Sequence, residues 1–421
     1  MLVLHLHSKG LSKMQEQTSP KNTLPVIIIG AGSVGVRFVQ ELFHNNPLIN
    51  IKIFSGEDKK PYSRENLSEL LSGKISEQDL HSESKLPESK HIESFINNPI
   101  VNIDHENNKV VDADGIEHPY SSLVLAVGSI PLTPKVEGLD LKNVIVFRKL
   151  EDAEALLCRQ VASRNTVVIG GGQIGLDAAN AMKRHNTRVT VIEHRKRLMF
   201  NQLDYHASIY LRLYLDNQGI DVRVETVVDR IEGNNQVESL VLDDGERIDC
   251  DTVIIAIGIK PNIKMAKSSG IKVSRGILVD DSLETNLPNV FAIGECIEHR
   301  GEVYGQVQPG YDQAKILAIK LAGRKQQQYT GSTRKLSFKV IDYPFLTIGE
   351  SSDPVDESKD LMYRDIKNMT YRKLILKNGS LHGVIAAGSW ENDKSLLKAV
   401  ENKQRIWPWQ RKQFEETGEL A

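Results

Sequence analysis

The chain changes rhythm at Leu24. Residues 1–23 are polar and irregular and read as a frayed extension, with Met14 as an alternative start. Leu24-Pro-Val-Ile-Ile-Ile-Gly30 is then a continuous, β-branched apolar run, the pattern of a parallel strand buried on both faces. A glycine-rich turn follows, Val36-Arg-Phe-Val-Gln-Glu-Leu-Phe43 reads as a helix, and Ile51-Lys-Ile-Phe54 as the next strand. Strand, glycine turn, helix, strand is the opening of a dinucleotide-binding unit.

The arrangement recurs one domain's length later. Asn165-Thr-Val-Val-Ile-Gly170 is a strand, Gly170 to Gly175 a glycine turn, Leu176–Lys183 a helix and Arg188-Val-Thr-Val-Ile-Glu193 a strand. The spacing predicts two separate nucleotide units rather than a short-period repeat. Leu123-Val-Leu-Ala-Val-Gly-Ser-Ile-Pro131 and Val253-Ile-Ile-Ala-Ile-Gly-Ile-Lys-Pro261 echo each other, each passing from a buried strand through Ala-x-Gly into a proline-ended turn. After Tyr329 the pattern turns to alternation. Lys335–Ile341 alternates polar and apolar, Tyr371–Lys377 and Leu381–Ala387 flank Asn378-Gly379 as a hairpin, and a helix is expected over Asp393–Glu401. These elements predict a third, smaller α+β domain.

Composition narrows the function. With 40% hydrophobic and 26% charged residues in 421, the chain has apolar material for more than one core. A net charge of -2 offers no bulk electrostatic hold on nucleic acid. No apolar stretch approaches the ~20 residues of a membrane helix, and Met1–His7 lacks the basic start of a signal peptide. Cys158, Cys250 and Cys296 are far apart, which gives neither a sequence-adjacent dithiol nor a thiolate cage for zinc or iron–sulfur, and no metal is expected. A reducing, cytoplasmic compartment fits.

Gly30-Ala-Gly32-Ser33-Val-Gly35 has the G-x-G-x-x-G spacing. The first glycine permits the tight turn, the second lets a pyrophosphate approach the backbone, and the third lets helix and strand pack closely. A glycine turn that only packs a helix is the alternative. Glu57, past the second strand, is placed to receive a ribose hydroxyl. In Gly170-Gly-Gly172-Gln-Ile174-Gly175 the corresponding acid is Glu193, which would accept a 2′-hydroxyl and repel a 2′-phosphate. His194-Arg195-Lys196-Arg197 follows at once, and arginines there can hold a 2′-phosphate or be solvated surface charges. The carboxylate favours NADH over NADPH.

The chain resembles the flavoproteins of the pyridine nucleotide–disulfide oxidoreductase superfamily. Within them it is most similar to the flavoprotein part of assimilatory nitrite reductase large subunits and to rubredoxin reductases. The resemblance is carried by Arg275–Gly305, with Gly294-Glu295-Cys296-Ile-Glu-His299-Arg-Gly, by Leu198–Asp204 and by Pro61-Tyr-Ser-Arg64-Glu-Asn-Leu-Ser68. It implies an α/β fold with two Rossmann-like domains for FAD and NAD plus a small C-terminal α+β domain. FAD would occupy 24–146 and 267–328, NAD(P)H 147–266, and the α+β domain 329–405, leaving 406–421 as a tail. It implies that Gly30, Gly32, Ser33, Gly35, Glu57, Arg64, Gly294 and Glu295 face FAD. Gly170, Gly172, Ile174, Gly175 and Glu193 would face NADH, and Ala126–Gly128 and Ala256–Gly258 would be the turns beside the cofactors.

The resemblance further implies an FAD-dependent NAD(P)H:acceptor oxidoreductase in which the flavin does the chemistry. The acceptor would be a redox protein: rubredoxin, ferredoxin or a nitrite-reductase-type partner. The alternative is a flavin-binding scaffold or sensor with little turnover. It is motivated by Asp177 where relatives carry Glu near the nicotinamide, by Glu69 where many carry Lys, and by a shorter, more polar segment between Gly73 and Ile100. Without cysteine-rich iron–sulfur and siroheme modules, the chain is not expected to reduce nitrite alone. Cys296 reads as a packing residue, with a reactive thiol at the flavin as the alternative, and His299 as a structural residue, with a flavin contact as the alternative. Trp407 and Trp409 read as a cap on the small domain or a dimer contact, with acceptor docking as the alternative.

Overall fold

The computed structural model describes residues 24–82, 84–183, 187–324, 327–333, 335–340, 342–351, 360–390 and 393–420. The expected extension and Met14 lie outside the described residues. Strand Val26–Ile29 is the middle of a five-stranded parallel sheet ordered Val290–Ala292, Ser122–Leu125, Val26–Ile29, Ile51–Phe54, Ile92–Phe95. All four residues of Val26–Ile29 are buried, as a central parallel strand covered on both faces requires. Helix Ser33–Asn45 turns Phe38, Val39 and Leu42 into the core of this sheet and lies beside helix Val307–Leu321. The segment between Gly73 and Ile100 supplies helix Glu77–Ser82, which seats Leu80 in the core, and the edge strand Ile92–Phe95, where Phe95 stacks on Phe54.

A second parallel sheet is ordered Ile220–Val224, Arg188–Glu193, Asn165–Ile169, Thr252–Ile255, Val144–Val146. Its last strand corrects the expected boundary. Val144–Val146 pairs with Val253–Ile255, so the second unit starts before residue 147. The ends of the two echoing segments pair with each other, Ser129–Pro131 antiparallel to Ile259–Pro261, and form a two-stranded link between the units. Two three-stranded antiparallel sheets, Ile100–Asp104/Lys109–Asp112/Glu117–Pro119 and Val228–Glu232/Ser239–Leu242/Arg247–Asp249, flank the parallel ones.

The C-terminal sheet is antiparallel, ordered Lys335–Val340, Tyr343–Gly349, Ser380–Ala387, Thr370–Lys377, Leu361–Asp365. Asn378 (φ 52°) and Gly379 (φ 80°) make the tight turn of its hairpin, a position that asks for left-handed residues. One face of this sheet shares a core with the second unit through Tyr343, Phe345, Tyr371, Ile375 and Ile385. The other face is covered by helix Asp393–Glu401 and by a second helix, Pro408–Thr417. Residues 406–420 of the expected tail are therefore packed rather than loose. Pro408 opens the helix, the Gln410 side chain accepts the Trp407 amide at 3.1 Å, Gly418 (φ 73°) closes it, and Ile406 and Phe414 are buried.

Candidate functional site

The two glycine loops are built alike. A Cβ on Gly30 (φ 113°) would sit 2.2 Å from the Ala126 carbonyl oxygen, and one on Gly170 (φ 118°) 2.3 Å from that of Ala256. A Cβ on Gly35 would meet the Gly30 carbonyl at 2.0 Å, and one on Gly175 the Gly170 carbonyl at 2.1 Å. These four glycines are demanded by the fold. Gly32 and Gly172 are not: neither has a left-handed φ, and a Cβ on either would meet nothing within 4 Å. Gly32 caps the helix Ser33–Asn45 without a side-chain acceptor, which leaves a helix N-terminus open to an anion. An open cradle beside a glycine the fold does not need is what a closely approaching pyrophosphate requires, so both loops fit a dinucleotide.

Sheet register locates the acids. The Gly30 amide bonds the Phe54 carbonyl and the Gly170 amide bonds the Ile192 carbonyl, so the position matching Glu193 is Ser55, not Glu57. Glu193 is buried. One carboxylate oxygen accepts the Gly171 amide at 2.9 Å and the other the Arg195 amide at 2.9 Å, which sets it against the glycine loop. Glu57 is engaged elsewhere: its oxygens accept Tyr62 Oη at 2.8 Å and the Arg64 guanidinium. Burial pushes its pKa up, but Arg64 and the two hydrogen bonds outweigh this and hold it below the usual value. The expected ribose acceptor is thus Arg64's partner, two residues beyond the matching register. Of the basic cluster, Arg195 and Arg197 both stack over Phe200, at 4.7 and 4.2 Å, and the buried Arg197 donates to the Leu203 and Phe200 carbonyls.

The two units and the C-terminal sheet meet around one cavity of about 390 Å³. Gly32, Ser33, Arg64, Ala126, Gly128, Gly294 and Glu295 line it from the first unit, Ile174 and Asp177 from the second, and Lys335 and Ser337 from the third domain. The other expected residues, Gly30, Gly35, Gly170, Gly172, Gly175, Ala256, Gly258, Glu57 and Glu193, stand behind or outside its wall.

Two charged groups in the cavity wall, Arg148 and Glu65, escaped sequence reasoning, as did Ser129 behind it. Arg148 bonds Glu295 at 3.0 Å, and Ser129 Oγ donates to the same carboxylate oxygen at 2.6 Å. Glu65 accepts Ser33 Oγ at 2.6 Å and Tyr311 Oη at 2.8 Å. Nothing in local spacing links residues so far apart in the chain. Asp177 accepts a hydrogen bond from Ser68; burial lifts its pKa from 3.8 to about 7, with Lys74 and Ser68 opposing and Glu69 adding. Lys74 is thus the cation facing Asp177 where Glu69 takes the expected lysine position.

The isolated candidates lie outside the cavity. Cys296 is fully buried, its Sγ 3.2 Å from the Ile293 carbonyl, and burial pushes the thiol up to about 12. His299 is buried against Tyr329 and bonded to Asp281 at 2.9 Å. Trp407 and Trp409 are exposed at the start of the last helix.

Comparison with known proteins agrees with this geometry. Residues 24–314 match the pyridine nucleotide-disulphide oxidoreductase family and residues 336–404 the rubredoxin NAD+ reductase C-terminal domain. A nitrite reductase [NAD(P)H] of Bacillus subtilis is 33% identical over 90% of this chain and 48% of its own length. The chain spans about half the length of the first such relatives. A rubredoxin-NAD(+) reductase of Pseudomonas putida is 32% identical over 86% of this chain and 99% of its own. The crystal structure of a ferredoxin reductase from Rhodopseudomonas palustris superposes with a TM-score of 0.77 at 27% identity, covering 86% of this chain and 91% of that one. No helix among the described residues is long and apolar enough to cross a membrane. With two alike glycine loops, each closing on a parallel strand and opening a helix, and a family match over most of its length, this chain belongs to the pyridine nucleotide-disulphide oxidoreductase family.

Proposed function

We propose that the chain is an FAD-dependent NAD(P)H:acceptor oxidoreductase that draws electrons from NADH and passes them to a separate redox protein. The observation that carries this reading is the pair Gly32 and Gly172, two glycines with open space where a Cβ would stand, on two loops that flank one cavity. FAD is assigned to the first cradle, with Gly30, Gly32, Ser33 and Gly35 at its phosphates and Arg64, Ala126, Gly128, Gly294 and Glu295 around the remainder. NADH is assigned to the second, with Gly170, Gly172, Ile174, Gly175, Glu193, Ala256 and Gly258.

When bound, FAD would supply the hydride and electron chemistry between the nicotinamide and a carrier. The chain supplies position and charge. The N-terminus of helix Ser33–Asn45 stabilises phosphate. Arg148 and Ser129 fix the Glu295 carboxylate, which can accept a hydroxyl donor. Asp177, its pKa lifted by burial to about 7, can change protonation state in the cavity wall near neutral pH. Cys250 and Cys296 are buried and Cys158 is exposed on helix Leu150–Ala162, so no internal dithiol takes the electrons onward. Rubredoxin, ferredoxin and nitrite-reductase-type carriers are the acceptor classes that the relatives' names support.

The test is anaerobic mixing of FAD-reconstituted protein with NADH, followed by ferricyanide turnover. Flavin bleaching and rapid turnover are expected. Bound flavin that NADH does not bleach would instead make the chain a flavin-binding scaffold, and failure to take up FAD at all would end the reading.

A further inference from the structure

Resting on the assignment of the second glycine loop to NADH, we propose that Tyr371 and Lys373 of the C-terminal sheet are positioning residues for the coenzyme loop that follows Glu193. This loop, residues 194–204, is held at both ends. At its first half the Met199 amide donates to the Gly171 carbonyl at 2.9 Å, and Leu198 packs so tightly on Gly171 that a Cβ there would sit 2.5 Å from it. The amide of the same Gly171 donates to Glu193. Any shift of the loop is therefore felt at the carboxylate assigned to the coenzyme ribose.

The far end is fixed by another domain. Ser351 Oγ donates to the Asn201 carbonyl at 3.1 Å. Asp204, 1% exposed, caps helix Tyr205–Asn217 through the Ala207 amide at 2.9 Å. Its second oxygen accepts Tyr371 Oη at 2.5 Å and lies 3.5 Å from Lys373 Nζ. Lys373 is fully buried and is 3.2 Å from Asp360, whose other oxygen accepts the Leu376 amide.

A buried lysine between two buried carboxylates contributes little net stability, because desolvating three charges offsets their attraction. Its strength is geometric: with hydrogen bonds fixing each partner, the cluster admits few arrangements. The arrangement it selects sets where Asp204 returns the chain, and so where the loop rests on Gly171.

The experiment uses FAD-reconstituted wild type, Ser351→Ala and Tyr371→Phe, the last losing one hydroxyl while keeping the ring that stacks on Tyr210. Lys373→Met is a harsher variant that can fail to fold, and the result does not depend on it. ADP-ribose and NAD+ are titrated by calorimetry, and NADH and NADPH kinetics are compared. In Tyr371→Phe the ADP-ribose Kd should rise roughly threefold to thirtyfold. The loss should appear in KM rather than kcat, with a reduced NADH-over-NADPH ratio and full FAD content. Unchanged ADP-ribose affinity and coenzyme ratio, with only a lower melting temperature, would overturn the proposal and leave the cluster as a domain clamp. A wild type that binds FAD but neither ADP-ribose nor NAD+ would instead overturn the NADH-site assignment beneath it.

Discussion

Glu193 accepts the backbone amide of Gly171 at 2.9 Å, a side chain at the end of one strand reaching the glycine turn at the end of its neighbour. That contact sets a carboxylate at the mouth of the second cradle, where a 2′-phosphate would meet like charge. The arginines that could offset it are occupied, Arg195 with Asn201 and both Arg195 and Arg197 with the Phe200 ring. A preference for NADH over NADPH of roughly one to two orders of magnitude in kcat/KM is expected, equivalent to roughly 1.4–2.8 kcal/mol. Glu193→Ala should shrink it without changing FAD content. Steady-state kinetics with both coenzymes check this; a wild type that prefers NADPH, with the preference lost in Arg195→Ala, would make the basic cluster the reader.

Two glycines of the first loop should separate folding from binding. Gly30→Ala forces a Cβ against the Ala126 carbonyl at a left-handed φ, so soluble protein should be lost or its melting temperature should fall sharply. Gly32→Ala meets open space at φ -75°, an ordinary angle for alanine. It should melt like wild type in the absence of FAD and bind FAD at least tenfold more weakly, about 1.4 kcal/mol. Equal FAD affinity in Gly32→Ala and wild type would remove the cradle's claim on the phosphates.

Thiol chemistry gives a direct reading of the cysteines. Cys158 is exposed, whereas burial pushes Cys250 and Cys296 up to about 12. Native protein should therefore release one equivalent of chromophore quickly from a disulfide reagent and the other two only on unfolding. Cys296→Ala should retain NADH-to-ferricyanide turnover. Its loss, with FAD still bound, would return Cys296 to the electron path.

The parallel units were legible because a strand buried on both faces must be apolar throughout. Val26–Ile29 and Asn165–Ile169 announce themselves, and the glycine turns after them have few other uses. The hairpin at Asn378-Gly379 was legible because the turn demands two left-handed residues. The helix Pro408–Thr417 had its signals too, in Pro408, Gln410 and Gly418, but within it only Trp409 and Phe414 are large and apolar, so pattern alone reads a tail. The register of Glu57 is not visible in chain distance: only the paired sheets show that Ser55 holds the position equivalent to Glu193 and that Glu57 lies two residues beyond it. Lys373 could not be read at all. A charged residue in an alternating strand reads as solvent-facing, and the two carboxylates that allow its burial come from elsewhere in the chain.

Asp177 ties the cavity to pH. Burial lifts its pKa from 3.8 to about 7, and Ser68 and Lys74 pull in the opposite direction. Between those two values the folded chain holds a proton that the unfolded chain has released. The associated stability is complete below about pH 4 and is lost as pH rises through about 7. Asp177→Asn carries no such proton and lacks this contribution over the same range. Relative to the variant, wild type should lose stability from pH 5 to pH 8.5 by a few kcal/mol at most, at ~1.4 kcal/mol per pKa unit. Lys74→Met should move the midpoint of that loss upward, since the cation that favours the carboxylate is gone. Denaturant midpoints of the three proteins across this range provide the measurement, and a wild-type-minus-Asn difference that does not vary with pH would show Asp177 to be ionised in the fold throughout.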